Sequence, residues 1–206
     1  MIVCCPVTGY MDVNCYVWLD PQSRHGFLVD PGAMGGELLE TCRRRGWILD
    51  GILLTHGHFD HIGGIAEIRQ ETDIPVLIHE NGPAYLDDPR MNLSHYFGGD
   101  IRVTGAQVFR DGDVLRPKEG KGALRVIHTP GHTQDSVLFY DEAQGEALSG
   151  DTVFLGSRGN DSFPGGDGMQ LLKSIRERVM TLPADTVLYP GHGDRTTVGA
   201  ERPLYL

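Results

Sequence analysis

Hydrophobic and polar residues alternate over 2–7 and again over 13–19, the period-two pattern of two half-buried strands joined by a turn at 9–12. Residues 26–29 add a short apolar run that stops at Asp30-Pro31-Gly32, a turn signal. Residues 36–45 change to a helical period, with Leu38, Leu39 and Cys42 on one side. The run 51–54 reads as a buried strand. A helix over 63–71 turns Ile65 and Ile68 inward, and a short strand follows at 75–78. Residues 80–100, rich in Gly, Pro, Asn and Asp, predict a short helix and then a long loop. Strands are expected near 107–109, 113–116, 123–128, 135–140 and 146–149, with a second glycine-rich loop over 156–167. Leu171, Leu172, Ile175, Val179 and Leu182 form one apolar stripe, which predicts a helix over 168–182 ended by Pro183. A last strand covers 186–189. This order predicts an α/β (α+β layered) fold, two sheets packed face to face with helices outside, and residues 1–206 read as one domain.

Composition narrows the partners. A net charge of -10 works against nucleic acid and anionic membranes, and the one basic run, Arg43-Arg44-Arg45, reads as the solvated face of a helix. No stretch approaches the roughly 18 apolar residues that a membrane span needs. The N-terminus shows no basic region leading into an apolar one, so a cytoplasmic protein acting on a small molecule is expected, its oligomeric state left open. Cys4, Cys5, Cys15 and Cys42 lack ligand spacing and read as reduced, partly buried thiols.

The chemistry concentrates in Thr55-His56-Gly57-His58-Phe59-Asp60-His61, three histidines and an aspartate directly after a buried strand. Imidazole and carboxylate suit zinc, iron or manganese. The alternation offers His56 and His58 to one ion, and Asp60 and His61 to another. Three further candidates each follow a strand and a glycine: His132, Asp151 and His192. Asp30 could cap its own turn, the reading favoured by Pro31-Gly32, or orient a ligand histidine from behind. His128, in a strand, reads as a structural histidine, with a supporting position behind the ligands as the alternative. His25 and His79 sit near turn signals and are expected to be exposed. Tyr96 and Phe97, beside His95, could line a substrate pocket or merely pack their loop.

The motifs H-G-H-F-D-H at 56–61, G-H-T at 131–133, G-D-T at 150–152 and G-H-G at 191–193 resemble those of the metallo-β-lactamase superfamily. Ser149-Gly150-Asp151-Thr152-Val153-Phe154, with Phe163-Pro164-Gly165-Gly166-Asp167 downstream, is similar to short glyoxalase II-like (hydroxyacylglutathione hydrolase-like) enzymes. The resemblance implies an αββα sandwich and two divalent metal ions, zinc before iron or manganese. His56, His58 and His132 would hold the first, Asp60, His61 and His192 the second, with Asp151 bridging. It further implies that a metal-bridging hydroxide attacks a carbonyl, most readily of a thioester such as a hydroxyacylglutathione. Asp60 would then orient the nucleophile and protonate the leaving group.

Departures from the pattern matter. Asp151 stands where the commonest β-lactamase subclass has cysteine, which argues against β-lactams. The C-terminal helical domain through which full-length glyoxalase II binds glutathione is expected to be absent, since the chain stops at Leu206. A G-R-T-D motif is replaced by Gly159-Asn160-Asp161-Ser162 with Arg158 displaced, which makes Arg158 and Asn160 candidates for the pocket. Three other functions fit the same residues. A persulfide dioxygenase would hold one iron on His56, His132 and Asp151. A lactonase would differ only in pocket shape. A non-catalytic metal-binding module would leave no coordination position open.

Overall fold

The structure is a computed structural model that describes residues 1–9, 11–97 and 99–206. Tyr10, within the turn expected at 9–12, and Gly98, within the long loop expected in 80–100, lie outside the described residues. The first sheet runs, in spatial order, β1 (Ile2–Thr8), β2 (Asp12–Leu19), β3 (His25–Val29), β4 (Ile48–Leu53), β5 (Val76–His79) and β6 (Gln107–Phe109). Its first three strands are antiparallel, and β3 to β6 are parallel. Parallel neighbours need a crossover. These are supplied by α1 (Gly35–Arg45), by α2 (Phe59–Ile62) with α3 (Ile65–Glu71), and by α4 (Pro83–Asp87).

The second sheet begins with β7 (Val114–Leu115), β8 (Leu124–His128), β9 (Val137–Asp141) and β10 (Glu146–Gly150), each antiparallel to the next. A small hairpin of β11 (Val153–Phe154) and β12 (Ser157–Arg158) stands apart from it. The chain then crosses through α5 (Gly168–Ser174) to β13 (Val187–Pro190), which pairs parallel to β10, and ends with β14 (Thr196–Thr197) and α6 (Val198–Tyr205).

Alternate side chains of single strands feed opposite layers. In β2, Val13, Cys15, Val17 and Leu19 pack toward the helices of the first sheet, whereas Tyr16 and Trp18 enter the space between the sheets. In β9, Val137 and Phe139 enter that space, and Leu138 and Tyr140 pack toward α5 and α6. Three apolar layers result, the sign of an αββα sandwich. Trp18 and Tyr16 each carry a hydrogen bond across the central layer. Trp18 Nε1 donates to Asp141 Oδ2 at 2.8 Å, and the Tyr16 hydroxyl donates to the Pro190 carbonyl at 2.7 Å.

The expected helix over 168–182 is not uniform. Its α-helical part ends at Ser174, and Ile175–Val179 form a π turn closed by Met180 N donating to Ile175 O at 2.8 Å. In an α-helix Met180 would lie about 140° around the axis from Ile175. The wider turn lets Ile175, Val179 and Met180 all be buried. The sequence pattern also missed β14 and α6. Pro203 interrupts that helical pattern, yet Val198 and Tyr205 complete the outer layer, and buried Glu201 accepts from Thr196 Oγ1 at 2.6 Å. His79, expected to be exposed, is buried, because it stacks on His128 with ring centroids 4.0 Å apart. His25 is held against Asp50 at 3.0 Å. Among the described residues no helix is long and apolar enough to cross a membrane.

Asp20, 3% exposed, joins the β2–β3 turn to the loop before β8. Its carboxylate accepts from the amides of Gln22 and Ser23 at 3.0 and 2.9 Å, and from those of Lys121 and Gly122 at 2.9 and 2.8 Å. These amides, Ser23 foremost, hold the carboxyl below the usual carboxylate range. Asp20→Ala should therefore lower stability by about 2–3 kcal/mol in urea titrations at neutral pH. A carboxyl whose pKa is lowered by folding stabilises above its unfolded value and loses that contribution as pH falls. The gap between wild type and variant should thus be full at neutral pH and shrink below roughly pH 4.

Candidate metal centre

The C-terminal ends of β4, β8, β10 and β13 lead into the turns that carry His56 to His61, His132, Asp151 and His192. The His56–His61 stretch is not all loop. Asp60 and His61 lie on the single turn of α2, and Gly63-Gly64 separate it from α3, so the helix expected from residue 63 starts at 65. Close approach shapes two of the turns. A Cβ on Gly32 would stand 1.6 Å from the Asp60 carbonyl oxygen, and one on Gly191 would stand 2.3 Å from Asp151 Oδ1. Only glycine lets the backbone come this near.

Each of four histidines turns Nδ1 outward to a fixed partner. His132 Nδ1 donates to the Asn160 carbonyl and His192 Nδ1 to the Asp12 carbonyl, both at 2.7 Å. Thr55 Oγ1 gives its proton to Asp30 Oδ2 at 2.6 Å and so accepts from His56 Nδ1 at 3.1 Å. His61 Nδ1 stands 3.0 Å from Asp30 Oδ2. Asp30 also accepts from the Thr55 amide at 2.8 Å, from a left-handed backbone with φ 52° that aspartate tolerates. It does more than cap its turn: it steadies both His56, through Thr55, and His61.

The opposite nitrogens converge. His56 Nε2 and His132 Nε2 lie 3.1 and 3.0 Å from His58 Nδ1. With their protons on Nδ1, both Nε2 atoms present bare lone pairs. One proton on His58 can satisfy only one of them. Burial keeps the rings of His56 and His58 neutral, pushing them well below the ordinary imidazole value, and it lowers His132 as well. A cation resolves the conflict. Tetrahedral zinc with Zn–N of 2.0–2.1 Å sets its nitrogens about 3.3 Å apart.

A second cluster adjoins the first. Asp60 Oδ2 lies 3.2 Å from His192 Nε2 and 3.8 Å from His61 Nε2. Asp151 faces both clusters, with Oδ1 3.5 Å from His61 Nε2 and Oδ2 3.7 and 3.5 Å from Nε2 of His132 and His192. Burial lowers the His61 imidazole, but Asp60, Asp151 and Asp30 prevail and raise it to about 10. Burial likewise opposes ionisation of Asp60, yet His61 and His192 hold it below the usual carboxylate range. His58 Nε2, His61 Nε2 and Asp151 Oδ1 are buried without a hydrogen-bond partner among the described residues. Three groups have donor atoms within 4.8 Å of one another and could each hold an ion: His56, His58 and His132; Asp60, His61 and His192; and His56, His61 and Asp151.

The family model described as the metallo-beta-lactamase superfamily matches residues 8–192. The chain belongs to that superfamily. A probable metallo-hydrolase of Bacillus subtilis, YqgX, is 37% identical over 198 residues, covering 94% of this chain and 91% of its own. The hydroxyacylglutathione hydrolase GloC of Haemophilus influenzae is 28% identical over 200 residues, covering 96% and 92%. Among solved structures, the BLEG-1 B3 metallo-beta-lactamase superposes with a TM-score of 0.91 at 33% identity, covering 98% of this chain and 97% of its own. TTHA1623, solved in a di-iron-bound form, gives 0.84 at 32%, covering 96% of each. The metallo-beta-lactamase fold binds divalent metals, and the cluster of nitrogens and carboxylates seen here suits them.

His58, Asp60, His132, Asp151 and His192 form the floor of a cavity of about 410 Å³, whereas His56 and His61 are buried and do not line it. Its walls are Met11, Phe59, Leu93, Phe97, Phe154, Phe163 and Asn160. Of the side chains expected in the pocket, Phe97 and Asn160 are there. Tyr96 is not: it is 64% exposed, because the 3₁₀ turn Ser94–Tyr96 directs it to solvent. Arg158 is not either, since its guanidinium is tied to Asp161 Oδ2 at 2.9 Å. His128 does not stand behind the ligands. It stacks on His79, and its Nε2 meets the Gln134 carbonyl at 2.9 Å. Sequence reasoning overlooked Met11, Phe154 and Phe163 as walls, although an aromatic just after G-D-T and another opening F-P-G-G-D were available as signals. It also overlooked Asp135, fully buried beside Gly57, whose carboxyl burial raises to about 7.

Asp30→Asn keeps a residue that accepts the left-handed turn but removes the charge facing His61. It should weaken zinc binding by about 10–100-fold in chelator competition, with an unchanged circular dichroism spectrum. Wild-type affinity would contradict the orienting role of Asp30.

Proposed function

We propose that the protein hydrolyses a carboxylic thioester or ester, with a pair of divalent cations held by His56, His58 and His132 and by Asp60, His61 and His192, and with Asp151 between them. The observation that carries this reading is that the converging nitrogens and carboxylates form the floor of an open cavity. A purely structural ion would be enclosed on all sides by protein ligands. Cations bound there supply a water acidic enough to ionise near neutral pH and a Lewis acid for the carbonyl oxygen.

The chain's own residues supply orientation. Asp60, beside His192 at the floor and held ionised by its histidine neighbours, can accept a hydrogen bond from a water there and so orient it. Asn160 holds His132 through its carbonyl and lines the pocket. The apolar walls exclude bulk water, which strengthens electrostatic interactions at the floor. Apart from the proposed ligands, no described wall residue titrates, so no spare acid stands ready for a basic leaving group. A thiolate, whose conjugate acid ionises near pH 8.5, leaves without one. This favours a thioester over an amide.

Zinc remains the metal of first choice, with iron and manganese as alternatives that the nitrogen and oxygen donor set suits as well, and one neighbour was solved in a di-iron-bound form. The relative described as a hydroxyacylglutathione hydrolase supports thioesters, and the neighbour described as a B3 beta-lactamase brings β-lactams into the comparison despite Asp151. Protein of measured metal content should hydrolyse thioesters faster than lactones or β-lactams. Asp151→Ala should lower kcat/KM by about 100-fold or more. Oxygen uptake on glutathione persulfide with one iron per chain would replace this reading with the dioxygenase. Near wild-type turnover by Asp151→Ala with unchanged metal content would refute the role given to Asp151.

A further inference from the structure

We infer that this pocket selects substrates whose groups beyond the reacting carbonyl are uncharged and apolar, and selects against glutathione conjugates. The inference rests on the hydrolase reading above and narrows its substrate. Beyond the floor, the described walls carry one polar side chain, Asn160, whose Oδ1 already accepts from the Ser162 amide at 2.9 Å. The other walls are thioether, branched aliphatic or aromatic: Met11, Leu93, Phe154, Phe163, and the stacked pair Phe59 and Phe97, with centroids 4.7 Å apart.

Two of the rings stand against histidines of the floor. Phe163 meets His58 edge-on at 5.7 Å, and Phe154 meets His192 at 6.0 Å. A group attached to a carbonyl at the floor must lie against them. Met11 is 45% exposed and Phe163 is 36% exposed, so apolar surface is open to an entering molecule.

Glutathione carries two carboxylates, and a site that binds it needs cations or amide donors for them. No described wall residue is Lys or Arg, and the displaced Arg158 is neutralised by Asp161. The whole chain adds a net charge of -10. A substrate with remote carboxylates would therefore lose its hydration and gain no partner, whereas an aromatic or branched group buries apolar surface at no such cost.

Two thioethers that cannot be hydrolysed test this through binding: N-acetyl-S-benzylcysteamine, which is neutral, and S-benzylglutathione, which carries the same benzyl group. In calorimetric titrations of the metal-loaded protein, the neutral compound should bind at least about tenfold tighter. Phe163→Ala and Phe154→Ala, with unchanged melting temperature and metal content, should each weaken it by about tenfold. Equal or tighter binding of S-benzylglutathione overturns the inference, as does unchanged affinity in both variants. Tight binding of the neutral thioether together with no turnover of any ester or thioester would sink the hydrolase reading and leave the pocket's preference standing.

Discussion

The site depends on an electrostatic conflict that the protein cannot resolve with its own protons. His56 Nε2 and His132 Nε2 both face His58 Nδ1 at about 3 Å, in a region dry enough to keep the rings neutral. Beside them Asp60 and Asp151 bring two carboxylates to the same floor. Crowded lone pairs and buried negative charge are each unfavourable, and each is relieved by a multivalent cation at that point. Without one, the nearest relief is a proton on His61, which the carboxylates around it favour.

The fold holds this arrangement rigid from behind. The anchors of the outward nitrogens are distant in sequence: the Asp12 carbonyl for His192, Asp30 for His61, and the Asn160 carbonyl for His132. Asp12 opens β2, and the adjoining Asn14 bonds the His192 turn, its amide donating to Gly191 O at 2.7 Å and its side chain to Gly193 O at 2.8 Å. The first sheet thereby fixes a proposed ligand that the second sheet carries. Packing between the sheets and bonds such as Tyr16 to Pro190 keep the two halves in register. Tertiary structure thus supplies the tautomers, and the tautomers aim the lone pairs.

The seven clustered residues could be read from the sequence because their types are rare together and each follows a strand and a turn. Most strands were legible through alternation. Asp30 was legible only as a choice between two roles, because Pro31-Gly32 explains an aspartate locally, whereas His61, thirty-one positions on, becomes its neighbour only when β3 and β4 pair. Tyr96 and Phe97 show the limit of composition: adjacent aromatics on a 3₁₀ turn point in different directions, and only Phe97 reaches the cavity. The π turn after Ser174 was hidden because a stripe at positions three and four apart does not report where the hydrogen-bond ladder widens. The terminal β14 and α6 were missed because both are short and Pro203 breaks the helical pattern.

Whether the convergence exists to hold two cations can be read by titrating EDTA-treated protein with zinc while following bound metal and released protons. Two equivalents per chain should bind, with proton release at neutral pH, because His61, raised to about 10, must give up its proton to become a ligand. A folded chain that takes up fewer than two ions, or that binds two with no proton released, would contradict that role.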